Sequence, residues 1–154
     1  MLNKEELREL NFIFWTDFQE FNKKKRAQNN RKMVWSQYKS GIKDIYFRLD
    51  FNTTQASFSI DLQMRDAEVR QLVYEQFLET QGLLEEHVGN EIEFQPNIIS
   101  YSGIEIHRLN WSLKNVNIAN PDDYSKSIQF LSNKIQGMDR FWFEFSDLFV
   151  ALCR

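Results

Sequence analysis

Leu7, Leu10, Phe14, Phe18 and Phe21 recur at spacings of three and four, which places them on one face of a helix running from Asn3 to about Lys24. Asn3 is a suitable cap, and Glu6 three residues on stands in the capping-box relation to it. Phe12, Ile13 and Trp15 widen the apolar face and predict cover on more than one side of this helix. From Lys25 to Ser40 no clean period holds, and the segment reads as a connection with a short turn around Met33-Val34-Trp35. Strict alternation then takes over. Ile45, Phe47, Leu49 and Phe51 point one way while Asp44, Tyr46, Arg48 and Asp50 point the other. The pattern restarts after Asn52–Gln55, with Ala56, Phe58, Ile60 and Leu62 inward and Ser57, Ser59 and Asp61 outward. Two alternating runs joined by a polar connection predict a hairpin in an antiparallel sheet with one buried and one wet face.

A second helix is predicted from Asp66 to about Val88, with Val69, Leu72, Val73, Phe77, Leu83, Leu84 and Val88 as its stripe and Gly89-Asn90 as its stop. Two weaker strands follow, Glu91 to Gln95 and Gly103 to about Leu113. In the latter the inward set passes from Ile104 and Ile106 to Leu109, Trp111 and Leu113, a parity switch near Arg108 that a bulge would produce. The last helix opens on Asn120, Pro121 and Asp122-Asp123, which suit its cap, its first position and its dipole. Tyr124, Ile128, Leu131, Ile135, Met138, Trp142, Phe145 and Phe149 continue at helical spacing towards Leu152. Unbroken, this helix would be about 48 Å long, with Gly137 as a candidate bend. The order α-β-β-α-β-β-α predicts an α+β fold in one domain over residues 1–154, with an antiparallel sheet of about four strands packed against helices. The first and last helices are the natural pair to pack together. Phe141, Trp142, Phe143, Phe145 and Phe149 cover more than one side of the last helix, so either the first helix and the sheet bury both sides or part of that surface is a homodimer contact.

Composition narrows the class. With 154 residues, 42% hydrophobic and 15% aromatic, the chain can hold a core without staples, and a disordered or disulfide-scaffold protein is excluded. The single cysteine, Cys153, leaves no internal disulfide and no cysteine-based zinc site. No apolar run approaches the roughly 20 residues of a membrane span, and the polar N-terminus lacks a signal-peptide core, which reads as a cytoplasmic chain.

Charge changes the picture more. The net charge of −3 hides a segment from Lys23 to Arg48 with nine basic residues against one acid (+8), which leaves ten against twenty-one (−11) elsewhere. Such a block draws polyanions locally, although a charge run is also what a solvated loop looks like. Within it, Trp35, Tyr38 and Tyr46 interleave with Lys39 and Lys43. Aromatic rings stack on bases and lysines neutralise phosphates, a combination suited to single-stranded nucleic acid. The candidate anion- or nucleic-acid-binding residues are Lys23, Lys24, Lys25, Arg26, Arg31, Lys32, Trp35, Tyr38, Lys39 and Lys43. The competing reading has Trp35 and Tyr38 anchoring the loop to the core, with Gly41 making a turn and the lysines in water.

Catalytic patterns are sparse. His87 suits the end of the second helix, where the dipole favours a cation, and His107 stands on a strand beside Glu105 without a metal-spacing partner. There is no nucleophile elbow and no glycine-rich phosphate loop. A metal-dependent nuclease would need an acid on one strand and an acid-x-lysine triplet on its neighbour. Asp50 offers the first, but Asp61-Leu62-Gln63 and Glu105-Ile106-His107 both lack the lysine. No cofactor and no metal site is expected.

The chain resembles a Bacteroidetes-type bacterial family of unknown function, found as standalone proteins of about this length and as C-terminal modules of larger proteins linked to restriction or defence. The resemblance rests on Phe14-Trp15 with Phe18, on Trp35-x-x-Tyr38-Lys39-x-Gly41-Ile42-Lys43, on Ile45 to Asp50, on Glu75-Gln76-Phe77 and on Phe141-Trp142. It implies a compact α+β module without an assigned reaction and carries over no functional residue. Three expectations follow, in order of weight. The first is a non-enzymatic binding or interaction module that contacts nucleic acid or another acidic partner through residues 23–48. The second is a small metal-dependent nuclease-like enzyme or remnant using Asp50, Asp61 or Glu105. The third is a homodimeric protein-interaction scaffold using the last helix.

Overall fold

Asn3 opens the first helix as expected: its side-chain oxygen accepts the Glu6 N–H at 2.8 Å. In the computed structural model, which describes residues 1–154, this helix α1 spans Lys4–Asn22. It buries Phe14 and Phe18 completely, whereas Phe12 is 73% exposed and Ile13 is also in solvent. Cover on more than one side is therefore corrected to a single packed stripe.

Strands β1 (Ile45–Phe51) and β2 (Gln55–Leu62) form the predicted hairpin, with Phe47 opposite Ile60. Its turn is fixed by Asn52, whose side-chain oxygen accepts the Thr54 and Gln55 N–H groups. Strands β3 (Glu93–Ile99) and β4 (Glu105–Lys114) complete an antiparallel sheet of order β1-β2-β4-β3. The helices pack on the face carrying Phe47, Phe58, Ile60, Leu109 and Trp111. The opposite face is polar, but not wet throughout: Ser59, Asp61 and Asn110 are buried there. For Asp61 the cover is two arginine side chains, described below.

The predicted bulge exists, but on the other strand. Gln95 pairs with Arg108 and Ile98 with Ile106, so Pro96 and Asn97 together oppose His107. β3 thus runs on to Ile99 rather than ending at Gln95. An edge-strand bulge tolerates proline because no ladder N–H is lost. β4 itself pairs with β2 without interruption, and the apparent parity switch arises because His107 occupies a core-side position. Asn97, at φ 55°, donates its N–H to His107 Nδ1 at 3.0 Å, and Nε2 lies 3.0 Å from Gln71 Oε1. An accepting Nδ1 requires the proton on Nε2, so the ring is neutral in this arrangement. Burial and then the charge of Arg70 push its pKa down, against a smaller opposing effect of Glu105. The folded value lies below the unfolded one, so the contribution of this site to stability is present above the ordinary histidine value of about 6.5 and is lost as pH falls through the folded value. Urea unfolding at about pH 7 and about pH 5 should show an acid-side loss of stability that is smaller in His107→Gln. An unchanged difference would place the loss elsewhere.

The predicted second helix is two helices. α2 (Ala67–Glu79) is capped by Asp66, whose carboxylate accepts the Glu68 and Val69 N–H groups. α3 spans Gln81–Val88. Thr80 makes the break: its hydroxyl lies 2.9 Å from the Gln76 carbonyl and 3.3 Å from that of Phe77, a local bond that competes with helix continuation.

The expected cap at Asn120 accepts the Asp122 N–H, and Pro121–Asp123 form a single 3-10 turn. The last helix, α4, then runs unbroken over Tyr124–Leu152, 29 residues. Gly137 is therefore not a bend. It is the crossing point with α3: a Cβ there would lie 2.2 Å from the His87 carbonyl oxygen. The carbonyl end of α3 is clamped at that crossing. Lys134 donates to Val88 O at 2.9 Å, Trp111 to Gly89 O at 2.9 Å and Arg140 to His87 O at 3.3 Å. α1 meets α4 through Phe14 on Tyr124 and through a buried bond from Ser132 to Asn22. Phe77 of α2 covers Phe141, Trp142 and Phe149. On the far side of α4, Phe143 and Leu148 remain exposed. No helix is long and apolar enough to cross a membrane.

Candidate anion-binding surface

The segment from Lys23 to Lys43 has little regular structure, and side-chain bonds to the body of the protein shape it. Arg26 and Lys32 pair as an isolated bridge, closing a turn with Asn30 at φ 65°. Trp35 begins a single 3-10 turn, Trp35–Gln37. Its ring is 3% exposed, and the indole N–H donates to the Lys25 carbonyl at 3.2 Å. Asp139 of α4, itself 3% exposed, holds two points of the segment. One carboxylate oxygen accepts the Tyr38 hydroxyl at 2.5 Å and the other accepts the Gln28 N–H at 2.8 Å. Burial and then Asp139 raise the Tyr38 pKa well above the usual phenol value, which keeps that hydroxyl a donor. Trp142 donates to the Ser40 carbonyl at 2.7 Å, Gly41 turns the chain at φ 79°, and Lys39 pairs with Tyr46 on the outer edge of β1.

These bonds bear on the two readings of the aromatic residues. Trp35 is buried and offers no free ring face to a base, whereas Tyr38 is half-buried, held through its hydroxyl by Asp139, and borders an open concavity beside Arg48. The cations are arranged differently. Lys23, Lys24, Arg26, Arg31, Lys32, Lys39 and Lys43 are all exposed. Lys25 is half-buried, with its ammonium 3.4 Å from Ser132 Oγ and 4.1 Å above the Phe21 ring, and burial lowers its pKa. Lys23 pairs with Glu20, both largely in solvent, where such a pair contributes little. Of the ten candidate residues, seven cations are thus exposed, Lys25 and Tyr38 are half-buried, and Trp35 is buried.

Asp50, Asp61 and Glu105 are not brought together. Asp61 is held by Arg108 and Arg48, Glu105 lies 3.7 Å from Arg70, and Asp50 stands two residues from Arg48 near the far end of β1. No group of three or more His, Cys, Asp or Glu side chains is placed to hold a metal ion. Cys153 is half-buried, and burial followed by the charge of Asp44 pushes its thiol up, away from the reactive thiolate. Two structural features escaped the sequence reading. Asp139 carried a signal, since it lies four residues after Ile135 and three before Trp142, an acid inside an apolar stripe. The Arg48–Asp61–Arg108 group carried none, because its members meet only through the register of three strands.

A family model described as a domain of unknown function, DUF4268, matches residues 10–146. No curated protein and no solved structure matches the chain. The match spans most of the chain, including both halves of the sheet, the basic segment and most of α4, and so the chain belongs to the DUF4268 family of domains of unknown function.

Proposed function

We propose that this chain is a binding module that grips the phosphate backbone of nucleic acid through the ridge formed by Lys23, Lys24, Arg26, Arg31, Lys32, Lys39 and Lys43. The observation that carries the reading is seven exposed cations on a segment anchored by the buried Trp35 and by the Tyr38 hydroxyl bonded to Asp139. A segment already held in place loses less conformational entropy on binding than a free loop. The acidic remainder of the chain, at −11, repels a polyanion and favours this one approach. Because Trp35 is buried and unavailable for stacking, affinity comes mainly from phosphate contacts, and discrimination among base sequences is weak.

Fluorescence anisotropy with short labelled DNA and RNA tests the proposal. Binding should weaken steeply between about 50 and about 200 mM salt as condensed counterions are released. Changing Lys23, Lys24, Arg26 and Lys32 together to glutamate should lower the affinity by about a hundredfold at the lower salt. All four are exposed, so thermal unfolding should be little changed. No binding to any of these nucleic acids at about 100 μM protein, or equal binding by the charge-reversed variant, would overturn the reading.

A further inference from the structure

The polar face of the sheet, turned away from the helices, holds a second arrangement of charge. Asp61 on β2 is 1% exposed. Its oxygens accept Nε–H and Nη2–H of Arg108 from β4 at 2.6 and 2.9 Å, and Nε of Arg48 from β1 lies 3.2 Å away. The ladder dictates this meeting: Tyr46, Asp61 and Arg108 share one cross-strand row, and Arg48 reaches in from the next. The Arg48 guanidinium is held further over the Tyr46 ring, 4.7 Å from its centroid. Burying a carboxylate is costly, and the ion pair that compensates it contributes little net stability. What the arrangement does provide is two guanidinium groups held in fixed orientation, a geometry matched to phosphate oxygens. Nη1 of Arg108 and both Nη groups of Arg48 make no bond to Asp61.

Both arginines border an open concavity of about 760 Å³, within the range of small-molecule sites. Lys39 stands at its rim from the basic segment and Tyr101 from the turn between β3 and β4, while Asn110, Gln95 and Ser59 supply neutral polar groups. Three cations, Lys39, Arg48 and Arg108, line it with a single carboxylate, Asp50, while Asp61 lies buried behind the two arginines.

We infer that this concavity binds a phosphate ester of nucleotide size, with Arg48 and Arg108 holding the phosphate. The amides of Asn110 and Gln95 hydrogen-bond the polar remainder of the ligand, and the exposed Tyr101 ring is open to a base. Asp61 touches no ligand; it is a positioning residue that orients both arginines. The site shares only Lys39 with the basic ridge and stands whether or not the ridge binds nucleic acid.

Isothermal titration calorimetry of the full chain with AMP, adenosine and inorganic phosphate tests this inference. AMP should saturate one site at ligand concentrations up to about 5 mM, and adenosine should bind at least about tenfold more weakly. Arg48→Gln leaves Asp61 its bidentate partner Arg108 and should weaken AMP binding by about tenfold or more. Arg108→Lys keeps a cation beside Asp61 but removes the fork, and should do the same. Charge reversal of Lys23, Lys24 and Arg26 should leave AMP affinity within about twofold, which separates failure of this site from failure of the ridge. No AMP binding, equal affinity for adenosine, or unchanged affinity in the folded arginine variants would overturn the inference. Competition distinguishes two sources of the same chemistry. Displacement of AMP by a 5′-phosphorylated oligonucleotide but not by its 5′-hydroxyl counterpart assigns the site to strand ends. Displacement by both assigns it to internal phosphates, and displacement by neither to free nucleotides.

Discussion

Gly137→Ala is expected to lower the free energy of unfolding by about 3 kcal/mol, a large part of the 5–15 kcal/mol typical of a single domain. The added Cβ would lie 2.2 Å from the His87 carbonyl oxygen and 3.0 Å from Val88 Cα. Both are backbone atoms, so no side chain can swing aside. α3 would have to retreat from α4, stretching the bonds from Lys134, Arg140 and Trp111 that satisfy its terminal carbonyls. Helix propensity alone gives the opposite sign, since alanine is better than glycine by about 1 kcal/mol inside a helix. Gly82 in α3 is the internal control: a Cβ there meets nothing within 4 Å, and Gly82→Ala should be neutral or slightly stabilising. Urea melts of both variants measure the contrast. A neutral or stabilised Gly137→Ala would mean that the two helices do not cross as closely as described.

The second large effect is expected at Asp139. Alanine there leaves the Tyr38 hydroxyl and the Gln28 N–H without their acceptors. Hydrogen bonds to a charged group contribute about 1.5–3 kcal/mol each, so a loss of about 3 kcal/mol is expected. Asp139→Asn keeps one acceptor oxygen and should fall between. The loss has a particular location. Residues 25–40 connect to the body through few points, of which Asp139 supplies two, so Asp139→Ala should raise amide exchange in that segment well before the sheet is affected. Nucleic-acid affinity should fall by only a fewfold, because every exposed cation remains and only the ordering of the ridge is lost. Hydrogen exchange read by mass spectrometry checks this. Unchanged protection over 25–40 would show that Trp35 and Trp142 hold the segment without Asp139.

How much of this was legible in the sequence differs by element. The hairpin of β1 and β2 was plain because strict alternation over two runs admits one pairing of faces. α1 was plain because Asn3 is a local capping signal, whereas Asn120 caps the 3-10 turn that leads into α4 rather than α4 itself. Where the reading failed, a contact that hydrophobic periodicity does not encode made the decision. The stripe through Leu72 and Leu83 ran on past Thr80, yet the Thr80 hydroxyl ends α2, and both leucines are exposed. Gly137 read as a bend because nothing nearby in the chain announces α3. The parity of β4 was confusing because the bulge that accommodates His107 lies on β3.

The candidate surface divides the same way. Its cations are visible as a count, whereas the role of the aromatics depends on bonds from Tyr38 to Asp139 and from Trp142 to Ser40, about a hundred positions apart. Periodicity carries no information about such contacts, and so it leaves the two readings of Trp35 and Tyr38 open.

The most direct test of a preformed cationic ridge is an amide NMR titration of the full chain with a short single-stranded oligonucleotide at low salt. Shifts should concentrate on residues 23–43 and fade as salt is added, with the amides of α2 and α3 unmoved. Saturating oligonucleotide that leaves 23–43 unshifted, or that shifts the exposed face of α4 around Phe143 instead, would contradict the ridge as the binding surface.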